Sequence, residues 1–342
     1  MRIPTFCLGA ALLLWAGASA AWGYGPGKLN DFGGRRVLLI GIDGTRADAL
    51  QKVVENGQAP ILAGLIREGT VTWNGYTGGE PGSEFPQKTL SGPGWSTIFT
   101  GVWRDKHGVT DNRFVHHHLD EWPHFCRHLK DAHPFAWSSS LCDWPEIHHF
   151  IVEAGRGEWH EIVDFAFVAT PEPLAKGSDY AQRDIEVTAR ALEDLKVSDP
   201  DFMFVYFGAV DEVGHGAGDA HGAFSPDNAA YLAAISKVDE HVGKVLAAVR
   251  ARPRLSEESW LVLVTTDHGG RLQGHGGQSP EERTIWMIAS GGNAPKGKVI
   301  TKAVPQTVIA PTVFEYLGVP IQPEWGWVTE PFAIPAHSAD TQ

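Results

Sequence analysis

Three aspartates and three histidines in this sequence have residue types and spacings that suit metal binding. Asp211 and His215 lie four positions apart, so a single helical turn would place both on one face. Carboxylate and imidazole groups together are ligands of zinc, and also of manganese or iron. The full set is Asp43, Asp211, His215, Asp267, His268 and His275. This set predicts two divalent metal ions, with zinc as the best match and manganese or iron as alternatives.

A serine-containing segment supplies a candidate nucleophile for such a centre. Within 88–101, Pro93 suits a first helical turn and Gly101 suits a helix end. Ser91 would then lie where free N–H groups and the helix dipole favour an anion. A serine that only caps the helix is the structural alternative. Two adjacent cations would let Ser91 attack phosphorus, because one lowers the hydroxyl pKa and the other stabilises the leaving oxygen.

Three apolar segments end at the aspartates and must position them. Segments 35–42, 201–207 and 260–264 are near-continuous apolar runs, typical of strands buried on both faces. Helix-like segments alternate with them, which predicts an α/β fold with a parallel sheet. Ligands bind at the carboxyl ends of the strands in such sheets. For a single residue such as Asp43, a structural turn or cap is an equally good interpretation.

Several further elements follow from periodicity and from helix start and stop signals. The predicted helices are 47–54, 60–68, 122–131, 178–195, 228–250 and 307–317, and further strands are predicted at 135–141 and 284–289. The region of about 113–176 has poor periodicity and is interpreted as a cap or insertion that shapes substrate access. Its histidines at 116–118 are expected to form a solvated loop, because consecutive side chains point in different directions.

The N-terminus predicts export of the protein. Residues 1–20 have a basic start, a short apolar core and a small-residue cleavage site, which is the pattern of a signal peptide, although a retained anchor is an alternative. Residues 21–342 then form one catalytic domain, secreted or periplasmic, with no later run long enough to span a membrane. Cys126 and Cys142 are expected to pair in that compartment, with two free buried thiols as the alternative.

The amino-acid composition and the net charge restrict the classes of molecule that this protein is expected to bind. Hydrophobic residues at 43% and charged residues at 20% indicate a globular protein. The net charge of -13 argues against a nucleic-acid polymer, but bound cations would still permit a small phosphorylated substrate. The oligomeric state cannot be read from the sequence.

Taken in chain order, the motifs resemble the alkaline phosphatase superfamily, and within it the nucleotide pyrophosphatase/phosphodiesterase branch. Ser91, Pro93, Thr100 and Gly101 match the nucleophile spacing of that branch, which selects Ser91 over Thr89. Segment 107–112 resembles its His-Gly-x-x-Asp-Asn motif, so Asn112 becomes a candidate substrate-binding residue. The resemblance covers about 37–320. It implies a doubly wound, mostly parallel sheet with helices on both faces.

The resemblance also implies roles for the ligands. One metal would be held by Asp43, Asp267, His268 and Ser91, and the other by Asp211, His215 and His275. The implied reaction is hydrolysis of phosphodiesters or nucleotide pyrophosphates through a phosphoserine at position 91. A phosphomonoesterase, a sulfate esterase and an inactive metal-binding scaffold are the alternatives.

Three positions depart from the branch or from its relatives. Ser91 replaces the usual threonine, and Gly94 stands where the branch has an asparagine that binds a phosphoryl oxygen. Gly92 and Gly94 therefore enter the candidate substrate site, Gly92 through its backbone N–H. Trp95 occupies the position of the arginine in the sulfatase motif, which disfavours a sulfatase.

Overall fold

A computed structural model describes residues 30–153, 162–169, 180–216, 223–327 and 330–334. The predicted signal peptide, and the stretches 154–161 and 170–179 of the predicted insertion, lie outside the described residues. No helix of the described ranges is both long and apolar enough to cross a bilayer.

The described chain forms one mixed sheet covered by helices. The strands are β1 Arg35–Ile42, β2 Gly69–Tyr76, β3 Ser138–Cys142, β4 Phe165–Val168, β5 Phe202–Phe207, β6 Ser259–Thr265, β7 Thr284–Gly291, β8 Lys298–Ile300 and β9 Val304–Pro305. The helices are α1 Ala47–Glu55, α2 Pro60–Arg67, α3 Ser91–Thr100, α4 Arg104–His107, α5 Phe125–Ala132, a π-helix Ile147–Val152, α6 Tyr180–Val197, α7 Ala209–Gly214, α8 Ala229–Arg250, α9 Pro280–Arg283 and α10 Ile309–Leu317.

The sheet is mostly parallel, as predicted. Its order is β4-β3-β5-β1-β6-β7-β2-β8, and β9 also pairs with β2. Only the pairings of β7 with β6 and with β2 are antiparallel among the described strands. The sequence analysis assigned no element to β2, although this strand pairs with β7 along most of its length.

Apolar layers lie on both faces of the sheet. Successive side chains of a strand point to opposite faces, so Leu39 belongs to one buried cluster and Ile40 to the other. Helices α3, α5 and α10 contribute to the first cluster. Helices α1, α2, α6 and α8 contribute to the second. This arrangement explains why the strands are apolar on both sides.

The region predicted as a cap or insertion does not stand apart from the sheet in its described part. Strands β3 and β4 lie within it, and they form the edge of the sheet beside β5. The strand predicted at 135–141 is thus observed as β3, whereas β4 lies in a part of the predicted cap or insertion for which no element was predicted. Hydrogen bonding between parallel strands continues across the region, and local periodicity could not reveal that.

The expected disulfide is wrong in this structure. Cys126, on α5, and Cys142, at the end of β3, are free and buried. Both belong to the same apolar cluster, so each thiol packs as a small apolar side chain. The alternative of two free buried cysteines is the observed state.

We expect neither thiol to react in the native protein. Burial raises the pKa of both thiols, so the reactive thiolate is scarce as well as inaccessible. Alkylation without reductant, followed by peptide mass spectrometry, should label both cysteines only after unfolding in guanidinium. Cysteines that stay unlabelled after unfolding, until a reductant is added, would instead indicate a disulfide.

Candidate metal centre and nucleophile

The six predicted metal ligands come together at one edge of the sheet. Asp43 follows β1, Asp211 lies on α7 directly after β5, and Asp267 follows β6. These three strands are parallel neighbours, and their ends align: Ile42 pairs with Phe207, and Gly41 with Thr265. The loops that leave the strands therefore converge, as expected for the carboxyl edge of an α/β sheet.

Ser91 is the first residue of α3, and its side chain does not cap the helix. Leu90 occupies the cap position without a side-chain bond. The Ser91 hydroxyl oxygen lies 3.4 Å from Oδ1 of Asp43 and 3.3 Å from Nε2 of His268. Gly101 ends the helix with a φ of 71°, as predicted. This geometry favours the nucleophile interpretation over the capping one.

Two side chains that were not predicted as site residues orient the carboxylate of Asp43. Nε1 of Trp95 and the hydroxyl of Tyr206 both donate to its Oδ2, at 2.8 and 2.6 Å. The other oxygen, Oδ1, is thereby directed towards Ser91. Trp95 fills the position where a sulfatase would carry arginine, and it supports Asp43 there.

The other two aspartates each keep one oxygen free of hydrogen bonds. Oδ1 of Asp267 accepts from the N–H of Gly44 at 3.2 Å, whereas its Oδ2 is buried with no such partner in the described part of the chain. Oδ1 of Asp211 is likewise buried and makes no hydrogen bond among the described residues, with Nε2 of His275 at 3.5 Å. Burying such oxygens is unfavourable. A bound cation would satisfy both.

The three histidines turn their Nε2 atoms towards the centre. Nδ1 of His215 lies 2.8 Å from the carbonyl oxygen of Gln273. Nδ1 of His268 lies 2.8 Å from the carbonyl oxygen of Gly269, and Nδ1 of His275 lies 2.8 Å from that of Thr89. Such a bond fixes the tautomer and leaves the Nε2 lone pair for a metal. Nε2 of His215 and Nε2 of His275 are only 2.9 Å apart, a separation suited to two ligands of one ion.

The shifts in pKa reflect this concentration of charge. Burial, followed by the charge of Asp211, raises the pKa of Asp43 to about 6, and burial raises the pKa of Asp267 well above its ordinary value. Burial, followed by the charge of His268, lowers the pKa of His275 to about 4. The imidazole of His275 is thus in its neutral, metal-binding form, while a cation would stabilise the carboxylates of Asp43 and Asp267 as anions.

The ligand atoms form two overlapping groups. One consists of Asp43, Asp267 and His268, and the other of Asp211, His268 and His275, with the atoms of each group within 4.8 Å of one another. His268 borders both groups, and its ring stacks on that of His275 with 3.8 Å between centroids. The resemblance assigned His268 to the first ion only. His215 adjoins the second group through its contact with His275.

Gly44 is needed because of a close approach to the centre. Its φ is 60°, and a Cβ placed on it would lie 2.2 Å from Oδ1 of Asp211. Any side chain at this position would displace a candidate metal ligand. Because Gly44 has no side chain, the segment that follows β1 can approach Asp211, which follows β5.

The two glycines proposed as substrate contacts have other roles in this structure. The N–H of Gly94 donates to the carbonyl of Leu90 at 2.9 Å, within α3. A Cβ on Gly94 would meet Cβ of Asp267 at 2.9 Å, so this residue faces a candidate ligand. The N–H of Gly92 donates to Oδ1 of Asn112 at 2.8 Å. Both N–H groups therefore have hydrogen-bond partners within the protein, and the substrate contacts of Gly92 and Gly94 stay a prediction.

Gly94→Ala is expected to destabilise the protein by about 1–3 kcal/mol, because the added methyl group overpacks against Asp267. Gly64→Ala is the matched control, since that helical glycine has only the end of a flexible arginine side chain near its Cβ position. The control should gain up to about 1 kcal/mol. Equilibrium urea unfolding measures both. Equal stabilities for the two variants would contradict the close contact at Gly94.

A cavity of about 140 Å³ opens beside Ser91. It is lined by Asn112, Asp143, Trp144, Tyr180, Tyr206, Gly208, Glu212 and the ligands Asp211, His215 and His275. The lining therefore combines aromatic and acidic groups, and the described part of it contains no lysine or arginine.

A buried pair of acids adjoins this cavity and was not predicted. The carboxylates of Asp143 and Asp184 both accept from the N–H of Gly208, at 3.4 and 3.2 Å, at the start of α7. Burial raises the pKa of both carboxyl groups, so the pair retains a proton more readily than isolated acids do. The pair holds the beginning of the helix that carries Asp211. The sequence offered no signal for it, because each residue lies in a different element.

The sheet, the serine at a helix start and the surrounding carboxylates and imidazoles place the protein in the alkaline phosphatase superfamily. A family model for type I phosphodiesterase/nucleotide pyrophosphatase matches residues 37–271. The chain belongs to this family of hydrolases.

Relatives agree with this assignment. Ectonucleotide pyrophosphatase/phosphodiesterase family member 3 of Mus musculus is 24% identical over 236 residues, which are 68% of this chain and 24% of that protein. The chain thus spans about a quarter of the length of such curated relatives. The fold resembles murine ectonucleotide pyrophosphatase/phosphodiesterase 5 in complex with AMP, at a TM-score of 0.57 and 15% identity, over 89% of this chain and 97% of that one. It also resembles a phosphonate monoester hydrolase from Silicibacter pomeroyi, at a TM-score of 0.61 and 17% identity, over 90% and 78%.

Proposed function

We propose that this protein is a two-metal hydrolase of phosphodiesters or nucleotide pyrophosphates, with Ser91 as the nucleophile. The observation that carries the proposal is the position of the Ser91 hydroxyl, within 3.4 Å of both Asp43 and His268. Around it, Asp211 and Asp267 each offer a buried oxygen without a hydrogen bond in the described chain. The murine relative that resembles this fold holds AMP, which agrees with a nucleotide-type substrate.

The residues present fit two metal ions. Asp43, Asp267, His268 and Ser91 would hold one, and Asp211, His215 and His275 the other, with zinc the preferred identity. Bound there, the cations would supply Lewis acidity towards the hydroxyl and the phosphoryl group.

The chain's own groups define the reaction. The Ser91 oxygen forms a bond to phosphorus while the bond to the leaving oxygen breaks on the opposite side, and the leaving oxygen takes up the serine proton. The phosphoserine formed from a diester still carries the second ester group. Water then attacks its phosphorus, the Ser91 oxygen leaves with a proton from that water, and a phosphate monoester is released. Trp95 and Tyr206 keep Asp43 oriented throughout, since both bond to the oxygen that faces away from Ser91. Asn112 accepts from Gly92 through Oδ1, so its NH₂ group is the end available to a phosphoryl oxygen.

The cavity favours diesters over monoesters. A phosphomonoester carries more negative charge than a diester near neutral pH. The described lining offers no lysine or arginine for this extra charge, and it includes the acidic group of Glu212. Like charges at such short range are unfavourable. The diester is therefore the better electrostatic match.

A panel of p-nitrophenyl esters tests the proposal. With zinc supplied, we expect the bis-ester of phosphate, or the p-nitrophenyl ester of a nucleotide, to be hydrolysed with a higher kcat/KM than the phosphate monoester or the sulfate. Preference for the monoester or the sulfate would replace the proposed substrate class. Stoichiometric metal binding with no turnover of any ester would indicate an inactive scaffold.

Asn112 provides a sharper test of substrate contact. Asn112→Asp keeps an oxygen for the N–H of Gly92 but replaces the donor with an acceptor. We expect kcat/KM for the diester to fall by about 10²-fold, the typical effect of losing a donor to a transition-state oxygen. Steady-state kinetics measures the effect. Wild-type kinetics in this variant would show that Asn112 serves only to bind Gly92.

We also propose that the protein is exported to the periplasm or the exterior. The support is the signal-like segment at residues 1–20. Expression of the full chain followed by N-terminal sequencing of the extracytoplasmic protein should show cleavage after about residue 20. Retention of Met1 in a cytoplasmic product would contradict export.

A further inference from the structure

A second group of metal-binding side chains lies outside the proposed catalytic centre. It consists of His148 and His149, on the π-helix, and Glu153, directly after it. Their candidate ligand atoms all lie within 4.8 Å of one another. None of these residues belongs to the set at the carboxyl edge of β5, β1 and β6. We call this group the π-helix triad.

The backbone geometry explains how two consecutive histidines can serve one ion. The N–H of Glu153 donates to the carbonyl of His148 at 2.9 Å, a bond between residues five apart. A turn of π-helix contains more residues than a turn of α-helix. The residues four and five positions before Glu153, which are His149 and His148, therefore flank Glu153 on one face of the helix. The same two histidines on a regular α-helix would diverge more from the glutamate.

The distances within the triad approach those of a zinc site. Nε2 of His148 lies 3.4 Å from Oε1 of Glu153. Ligands at about 2.0–2.1 Å from a tetrahedral zinc are separated by about 3.4 Å. All candidate ligand atoms of the triad lie within 4.8 Å of one another. Two imidazoles and one carboxylate are a known donor set for zinc.

The surroundings leave room for the remaining coordination positions. A cavity of about 330 Å³ is lined by both His148 and Glu153, and also by Asp164. The side chains of His148 and Glu153 are 22% and 34% exposed, so a hydrated ion can reach them without unfolding the segment. A site with three protein ligands keeps at least one position for water.

We propose that the π-helix triad is a third divalent metal site, suited to zinc. It is distinct from the proposed catalytic pair and does not depend on the identity of the nucleophile. The π-helix packs against α3 and β3. An ion bound by the triad would therefore cross-link a segment that lies beside α3, the helix that begins at Ser91.

Zinc stoichiometry tests the proposal. Full-length wild-type protein, saturated with zinc and freed of excess ion, should contain three equivalents by elemental analysis. The double variant His148→Ala/His149→Ala should contain two. Glu153→Gln should weaken the third equivalent by about tenfold or more in a calorimetric zinc titration. The matched control removes another consecutive pair, His117→Ala/His118→Ala, and should retain all three equivalents.

The outcomes separate this site from the catalytic one. Loss of the third equivalent in the histidine double variant, with two ions and diester hydrolysis retained, supports the triad. Equal zinc content in the wild type and both triad variants, whatever the number of equivalents, overturns it. If the double variant does not fold, Glu153→Gln decides, because an uncharged isostere leaves the helix intact.

Discussion

Ser91→Ala is expected to lower kcat/KM for the preferred diester by about 10³-fold or more. The variant removes the attacking oxygen, while Asp43 and His268, the two groups that contact the hydroxyl, remain. No phosphoserine can then form. Steady-state kinetics measures the loss. Mass spectrometry of protein quenched during turnover should find the phosphoryl group, with the ester group retained from the diester, on residue 91 in the wild type only.

Ser96→Ala is the matched control for this variant. Ser96 lies on the same helix and is equally enclosed, but its hydroxyl has no hydrogen-bond partner in the described structure. Its removal should leave kcat/KM unchanged. Metal content is measured in parallel, because Ser91 is also a proposed ligand. If Ser91→Ala keeps wild-type activity with its metals bound, the nucleophile has been assigned to the wrong residue.

Exhaustive removal of metal is expected to reduce diester hydrolysis by at least about 10³-fold, with recovery when zinc is returned. Without cations, Asp43, Asp211 and Asp267 form a buried group of acids around Ser91 that repels an anionic phosphate. The raised pKa values of Asp43 and Asp267 express the same electrostatic conflict within the protein. The serine hydroxyl also remains neutral at ordinary pH.

The metal experiment needs a check on folding. Urea unfolding of the metal-free protein should still show a cooperative transition, because two extensive apolar layers enclose the sheet independently of the centre. Adding zinc, manganese or ferrous iron separately to this protein identifies the effective ion. Full activity in protein without detectable metal would refute the two-metal mechanism.

Much of the fold could be predicted from local patterns. The apolar runs that became β1, β5 and β6 are buried on both faces, and such strands have a distinctive composition. The 22-residue α8 has clear periodicity and was predicted over 228–250; Asn228, the first residue of that range, is its N-cap. Strand β3 was predicted at 135–141, but strand β2 was missed and the edge strand β4 lay in the region predicted as a cap or insertion. Their membership of the sheet depends on pairing with distant segments, which local periodicity does not report.

The residues of the candidate site were also predictable only in part. Acids at the ends of parallel strands must converge whenever those strands are neighbours, so the sequence alone is enough to group Asp43, Asp211 and Asp267. The sequence left open the role of each neighbouring residue. Trp95 and Gly94 are departures from related motifs, and the structure shows one bound to Asp43 and the other packed against Asp267.

By itself, the sequence determined the types of chemical group in this protein and the strand ends that carry them, because both depend on residue identity and short spacings. The tertiary structure decided which oxygen of Asp43 faces Ser91, which ring nitrogen each histidine presents, and that Cys126 and Cys142 stay apart. These outcomes arise from contacts between residues far apart in the chain. Ser91 makes its two polar contacts with Asp43 and His268, 48 and 177 positions away, and no local pattern encodes such separations.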